Sequence, residues 1–195
     1  MSKVKSGLTK KTKDNLMTGA GAYFKNFEVG TDTYESAKSA GKIIGATQGG
    51  GNFKATATIR QIEVDGAVGK VKGLEVIDEW ETSMVMNLLE TTPETLQLAL
   101  GAVEVDSSSD EKYHVIKGKN SIDDDDYIEN ITYIGTISGS DEPVIIQIFN
   151  ALSIDGLDLK TENKKEAVLP VTVYGHYSED DLETPPYVIY YPKRS

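Results

Sequence analysis

Cysteine is missing from this 195-residue chain. That excludes a disulfide framework and any thiolate metal site, and it fits a reducing compartment. Histidine is scarce, with only His114 and His176. They stand far apart, each in a predicted strand, and read as surface or half-buried residues rather than as metal ligands or a catalytic base. No nucleophile elbow, zinc signature or Walker motif accompanies them. Carboxylates are plentiful, but the sequence gives none of them a positioned partner, so the chain reads as a non-enzyme without cofactor or metal. Positive charge is also short: 20 Lys and Arg face 31 Asp and Glu, for a net charge of −11. Nucleic-acid binding by counterion release needs the opposite balance, and an acidic surface repels phosphates. No apolar run approaches the roughly 20 residues that span a bilayer, and the N-terminus shows no apolar signal segment. The expectation is a protein without a membrane role.

Glycine and tyrosine are abundant, at 18 and ten residues. Both favour a fold of strands and turns. The most informative stretch is 53–90, FKATATIRQIEVDGAVGKVKGLEVIDEWETSMVMNLLE. It reads as two long strands joined by a tight turn at 64–69, where Asp65-Gly66 supplies a hairpin signal. In the first arm Phe53, Ala55, Ala57 and Ile59 alternate with Lys54, Thr56, Thr58 and Arg60. Ile62 and Val64 then break the parity, which predicts a β-bulge near Arg60–Ile62. In the second arm Leu74, Val76, Trp80, Met84, Met86 and Leu88 share one parity, interrupted by Asp78. Glu75, Glu79, Glu81 and Ser83 share the other, with Ile77 as the exception. The expected packing side is therefore Ile59, Ile62, Val64, Leu74, Val76, Trp80 and Met84. The expected acidic side is Glu63, Asp65, Glu75, Asp78, Glu79 and Glu81. Arms of roughly a dozen residues at about 3.4 Å each reach about 40 Å, the width of a whole domain of this size. A lone ribbon that long leaves unpaired edges, and neighbouring copies of the same hairpin could cover them.

The rest of the chain divides simply. Residues 1–20 are polar and basic, with Lys3, Lys5, Lys10, Lys11 and Lys13. They read as a flexible arm, or as one that orders against a neighbour's acidic surface. Residues 21–195 read as a single domain. Strands are predicted over 21–29, 113–117, 127–138 and 187–191, with 144–159 and 167–178 as a second hairpin pair. Pro170 marks its strand as an edge or a bulge. A short helical turn is expected at 33–39. Thr92 as N-cap, Pro93 at the first turn and Gly101 after the last predict a helix over 93–100, with Leu96, Ala99 and Leu100 on its apolar stripe. Gly49–Gly51 lack the Gly-Lys-Ser/Thr that a phosphate loop needs and read as a hinge or a close backbone approach. Asp123–Asp126 lack the Ca²⁺-loop spacing and read as a solvated acidic loop.

Several of these stretches together resemble one family. They are Ile44-Gly45-Ala46-Thr47-Gln48-Gly49-Gly50, Ile59-Arg60-Gln61-Ile62-Glu63-Val64-Asp65-Gly66, Gly69-Lys70-Val71-Lys72-Gly73, Asp78-Glu79-Trp80-Glu81 and Asn87-Leu88-Leu89-Glu90 before the Thr-Pro helix. With Gly21–Phe27 they resemble the major tail tube proteins of long-tailed phages of Gram-positive bacteria. The likeness covers about the first 100 residues; the remainder shares only a β-rich layout. The resemblance implies a mainly β fold: a β-sandwich or half-barrel with one flanking helix and an extended hairpin that joins an intersubunit barrel. It implies stacked hexameric rings that form a DNA conduit in the virion tail, assembled in the host cytoplasm. Expected partners are further copies of the chain, the tape-measure protein, and terminator and tail-tip proteins, with DNA passing unbound through an acidic lumen that Glu63, Asp65, Glu75, Asp78, Glu79 and Glu81 would line. Two alternatives are a ring-forming tail terminator, which should stop at one ring, and the inner tube of a phage-tail-like bacteriocin, which shares the fold. A third is a β-sandwich binding module that uses Tyr187, Tyr190 and Tyr191 as an aromatic platform.

Overall fold

A computed structural model describes residues 6–193. Lys3 and Lys5 of the expected arm lie outside the described residues. In chain order the elements are β1 (Met17–Lys25), α1 (Tyr34–Ser39), β2 (Thr47–Gln61), β3 (Glu75–Leu88), α2 (Pro93–Leu100), β4 (Val103–Asp106), β5 (Val115–Gly118), β6 (Ile128–Ile137), β7 (Val144–Ala151), β8 (Leu169–Gly175) and β9 (Tyr187–Tyr190). The fold is mainly β, a sandwich of two antiparallel sheets flanked by helix. One sheet has the order β1-β6-β7-β9 and the other β2-β3-β8; β4 and β5 form a separate two-stranded pair.

The core lies between the sheets. Alternation along β3 buries Met84, Met86 and Leu88, and alternation along β8 buries Leu169, Val171 and Val173. They meet Tyr23, Ile131 and Ile148 from the opposite sheet and Ala99 from α2. Helix α2 is capped as its sequence requires: Thr92 Oγ1 accepts the Thr95 N–H at 3.2 Å, and Thr95 Oγ1 in turn accepts the Thr92 N–H at 2.8 Å. On the outer face of the four-stranded sheet a smaller cluster of Phe24, Phe27 and Ala37 seats α1.

Beneath α1 the sheet carries a buried polar network. Asn130 Oδ1 accepts the Phe27 N–H at 3.0 Å and the Thr132 hydroxyl at 2.8 Å. Gln147 Nε2 donates to the Phe27 carbonyl at 2.9 Å and to Thr132 Oγ1 at 2.8 Å. These bonds fasten the turn after β1 to β6 and β7, because each buried polar atom must find a partner there.

The two sheets cross. Gly51 of β2 lies directly under Tyr23 of β1, and any Cβ there would collide with the Tyr23 hydroxyl and the Val85 carbonyl. Phe53 and Trp80 lie against Tyr187 of β9, with ring centroids 5.8 and 5.5 Å away. The β2–β3 pair therefore passes over the four-stranded sheet from its β1 edge to its β9 edge. Within the glycine run only Gly51 makes the close backbone approach; Gly49 and Gly50 take positive φ, 81° and 70°, where the pairing with β3 shifts register.

Three expectations need correction. β1 starts at Met17, inside the stretch read as an arm, and ends at Lys25, where Asn26 turns the chain at φ 52°. β7 and β8 do not form a hairpin. They belong to opposite sheets and are joined at one end, where Leu152 and Tyr174 exchange backbone bonds of 3.0 and 2.9 Å and the His176 N–H donates to the Phe149 carbonyl at 3.1 Å. The long connection between them lets each strand bury its apolar residues in its own sheet. The stretch 104–126 holds two paired strands rather than one, since Val103 and Val105 are too few to signal β4. Pro170 does lie on an edge strand, β8.

Asn130→Ala should leave the Phe27 N–H and Thr132 hydroxyl buried without an acceptor, a loss of about 3 kcal/mol. Urea unfolding measures it; a loss under about 1 kcal/mol would show that the network is not a fastening point.

Candidate functional site

β2 and β3 run 15 and 14 residues, two to three times the usual strand length. β8 pairs with β3 only from Thr82 to Leu88. The next outward donor, the Trp80 N–H, is taken by the Tyr177 hydroxyl at 2.8 Å. Before that point β3 pairs with β2 alone, and β2 is the edge strand of its sheet throughout. The far end is thus a two-stranded ribbon with both backbone edges open.

The tip is not a tight turn. The strands stop at Gln61 and Glu75, and a 62–74 loop joins them. Its base is closed by the Ile62 N–H donating to the Leu74 carbonyl at 2.8 Å. Asp65-Gly66 makes only a local turn within it, where the Ala67 N–H reaches the Val64 carbonyl at 3.1 Å.

The bulge is on the second strand. Thr58 pairs with Glu79 and Ile59 with Ile77, which leaves Asp78 unpaired. Arg60 holds Asp78 with Nε 3.1 and 3.2 Å from the two carboxylate oxygens and Nη2 3.1 Å from one. One extra residue reverses parity beyond it. Ile77 therefore falls on the Ile59, Ala57 and Trp80 side, and it is no longer an exception. Val76, opposite Arg60, moves to the Glu79 and Glu81 side. Sequence parity put the bulge on the first strand because an unpaired residue in either arm breaks the alternation in the same way.

The expected acidic residues are therefore divided. Glu79 and Glu81 share a face with Lys54, Thr56 and Thr58. Glu75 pairs with Gln61 on the opposite face, Asp78 is occupied by Arg60, and Glu63 and Asp65 lie in the tip loop. The expected packing residues divide as well. Met84 is fully buried in the chain's own core, and Trp80 packs on Tyr187. Leu74 is half-buried. Ile59 is 60% exposed, and Ile62, Val64 and Val76 are exposed with it. Ile77, at 53%, together with Val68 and Val71, joins this exposed apolar set. Pattern reading missed Ile77 because only the register reveals its face.

Elsewhere the polar groups are engaged locally. His114 Nδ1 lies 2.8 Å from Ser107 Oγ, and His176 Nδ1 lies 2.9 Å from the Asn150 carbonyl. Asp123 and Asp126 close on Lys119 at 2.8 and 2.7 Å. The Asp123 backbone N–H, and then Lys119, hold the Asp126 carboxyl below its ordinary range. Among the described residues no three His, Asp or Glu side chains gather as a metal site, and no helix is long and apolar enough to cross a membrane. A groove of about 720 Å³ opens at the far end of the sandwich, between α2 and the start of β6. No pattern in the sequence pointed to it.

The fold and the ribbon define a β-sandwich protein with a projecting, open-edged hairpin. A scan against protein-family models finds none that matches the chain, and a search of curated proteins finds no match.

Directly opposed residues have Cβ atoms about 4.5–5.5 Å apart, near disulfide reach. Ile59→Cys/Ile77→Cys should therefore oxidise to an intrachain disulfide in this cysteine-free chain. Ile59→Cys/Asp78→Cys should not. Thiol titration and mass spectrometry distinguish them, and the reverse result would move the bulge.

Proposed function

We propose that this protein is a structural subunit that assembles through its ribbon into stacked rings, as the tail tube of a phage virion. The observation that carries the reading is the ribbon itself. An open-edged hairpin with exposed Ile59, Ile62, Val64, Val68, Val71, Val76 and Ile77 is a poor end state for a monomer. Copies of the same ribbon laid side by side would pair both edges and cover these side chains, and closing them into a ring removes the edges altogether. The resemblance of residues 43–101 to tail tube proteins supports the same reading, as does the scarcity of positive charge. The chain's role is then mechanical rather than catalytic, with the tape-measure, terminator and tail-tip proteins as its further partners.

The face bearing Glu79 and Glu81 is the reading's lumen wall. It is less acidic than a count of carboxylates implies, because Lys54 shares it and Arg60 neutralises Asp78. Passage of DNA then rests on the two carboxylates that each ribbon presents on this face, where Lys54 and Arg60 form no concentrated basic patch.

Negative-stain electron microscopy of the purified chain, with light scattering over a concentration series, tests assembly. Long hollow tubes are the expected result, and single rings would indicate a terminator instead. Ile59→Lys/Ile77→Lys should abolish assembly and leave the thermal midpoint nearly unchanged, because both positions are exposed in the monomer. Tubes that form normally from this variant would sink the ribbon interface.

The lumen assignment has its own test in virions. Glu79→Lys/Glu81→Lys should permit assembly and slow DNA ejection, whereas Glu75→Lys, on the other face, should leave ejection unchanged. Equal ejection kinetics in all three would remove the assignment.

A further inference from the structure

The end groove is built for a basic, partly apolar segment. Ile43, Ile44, Leu98, Ile128 and Leu152 give it an apolar floor. Glu94, Asp125, Asp126 and Glu129 stand along it, with Lys25 as the one cation of its lining. Asp126 is already bound to Lys119, Lys25 acts on Glu94 and Lys42 on Glu129, which leaves four carboxylates against three cations for an incoming segment to meet. The first-turn backbone N–H of α2 and then the Thr92 hydroxyl hold Glu94 below its ordinary range, so it stays charged.

The chain carries a segment of matching chemistry. Residues 8–13 read Leu-Thr-Lys-Lys-Thr-Lys. Leu8 is 75% exposed, and Lys10, Lys11 and Lys13 are exposed. No ion pair among the described residues uses these three lysines.

Geometry decides whose groove this segment enters. The arm joins the sheet beside Ile137, where the Ser138 N–H donates to the Leu16 carbonyl at 2.8 Å. The groove lies at the other end of β1, where Lys25 pairs with Ile131. Six residues of β6 separate those points, about 20 Å. Residues 6–11 span about 20 Å at full stretch, and 12–15 are coiled into one helical turn. The arm of the same chain therefore reaches the rim at best and has no length left to enter. A second copy set head to tail presents its arm directly at the opening.

We infer that the segment 6–13 of one copy docks in the α2–β6 groove of the next, giving a directional end-to-end contact. Such a contact is heterologous and propagates without closing on itself unless rotation intervenes. Its axis follows the strands of the four-stranded sheet, whereas the ribbon crosses them. Lateral pairing and end-to-end docking thus use separate surfaces, and the docking contact does not depend on the proposed ribbon assembly.

The absence of cysteine makes the test direct. A Leu8→Cys chain is activated as a thionitrobenzoate mixed disulfide and mixed with a Leu98→Cys chain. Leu182→Cys, a site 73% exposed and remote from the groove lining, serves as the collision control. Gln97→Cys on the groove rim is the second acceptor if Leu98→Cys fails to fold. The expected result is release of thionitrobenzoate about tenfold faster with the groove cysteine than with the control. Lys10→Glu/Lys11→Glu/Lys13→Glu in the donor should erase the preference. Glu94→Lys/Asp125→Lys/Glu129→Lys in the acceptor should restore it for that donor. Equal rates, indifference to charge reversal, or an intrachain disulfide in Leu8→Cys/Leu98→Cys at high dilution would each overturn the inference. Tubes without the rate preference reject this contact alone, and the preference without tubes rejects the ribbon assembly alone.

Discussion

The hydrogen-bond ladder along β3 is the constraint on which the rest of the structure depends. Its second half is paired on both sides, to β2 and β8, and its alternate residues Met84, Met86 and Leu88 are the floor of the core. Its first half keeps only the β2 partner. The same strand therefore anchors the sandwich and launches the ribbon. Rigidity passes from one to the other because the ladder is regular from Met86 to Glu79; its two register shifts fall at either side of that span, one between Thr47 and Gly51 of β2 and the other at Asp78. Without the buried half, the exposed half would be an isolated hairpin, which is marginal in water.

Asp78 is part of that constraint. A regular ladder would place Val76 with Trp80 and Ile77 with Glu79. The unpaired residue exchanges them, and the Arg60 guanidinium holds the exchanged arrangement by spanning both carboxylate oxygens. The ion pair is half exposed and adds little stability of its own. Its consequence is geometric. The outer ribbon carries apolar side chains on both faces, Ile59 and Ile77 on one and Val76 on the other. A ribbon of that kind can be covered from both sides, as packing between neighbours requires, while the inner ribbon keeps its second face polar.

Local signals in the sequence were enough for the elements whose causes are local. Thr92, Pro93 and Gly101 bound α2 because capping is decided within one turn. The long hairpin was visible because its alternation persists for many residues. The side on which the bulge falls was not visible, since parity records that a residue is unpaired and not which strand carries it. The partners of β7 and β8 were hidden for a different reason. Each is apolar enough to be buried anywhere, and only packing against β6 or β3 decides the sheet. The end groove was illegible because it is assembled from β1, α2, β6 and β7, which are remote in sequence.

The crossing of the two sheets gives the molecule two independent directions. Tyr23 over Gly51 and Tyr187 against Phe53 and Trp80 fix the ribbon across the strands of the other sheet. Aligned sheets would have sent the ribbon out at one end of the sandwich, over either the arm or the groove. Crossing sends it past the β9 edge and leaves both ends clear. The proposed assembly, with neighbours around a ring and also above and below, needs two contact axes that do not compete for the same surface. Gly51 is what permits this arrangement, because only a residue without a Cβ lets Tyr23 lie on β2 at that point. The functional reading and the docking inference thus rest on one packing detail in the interior, far from either contact.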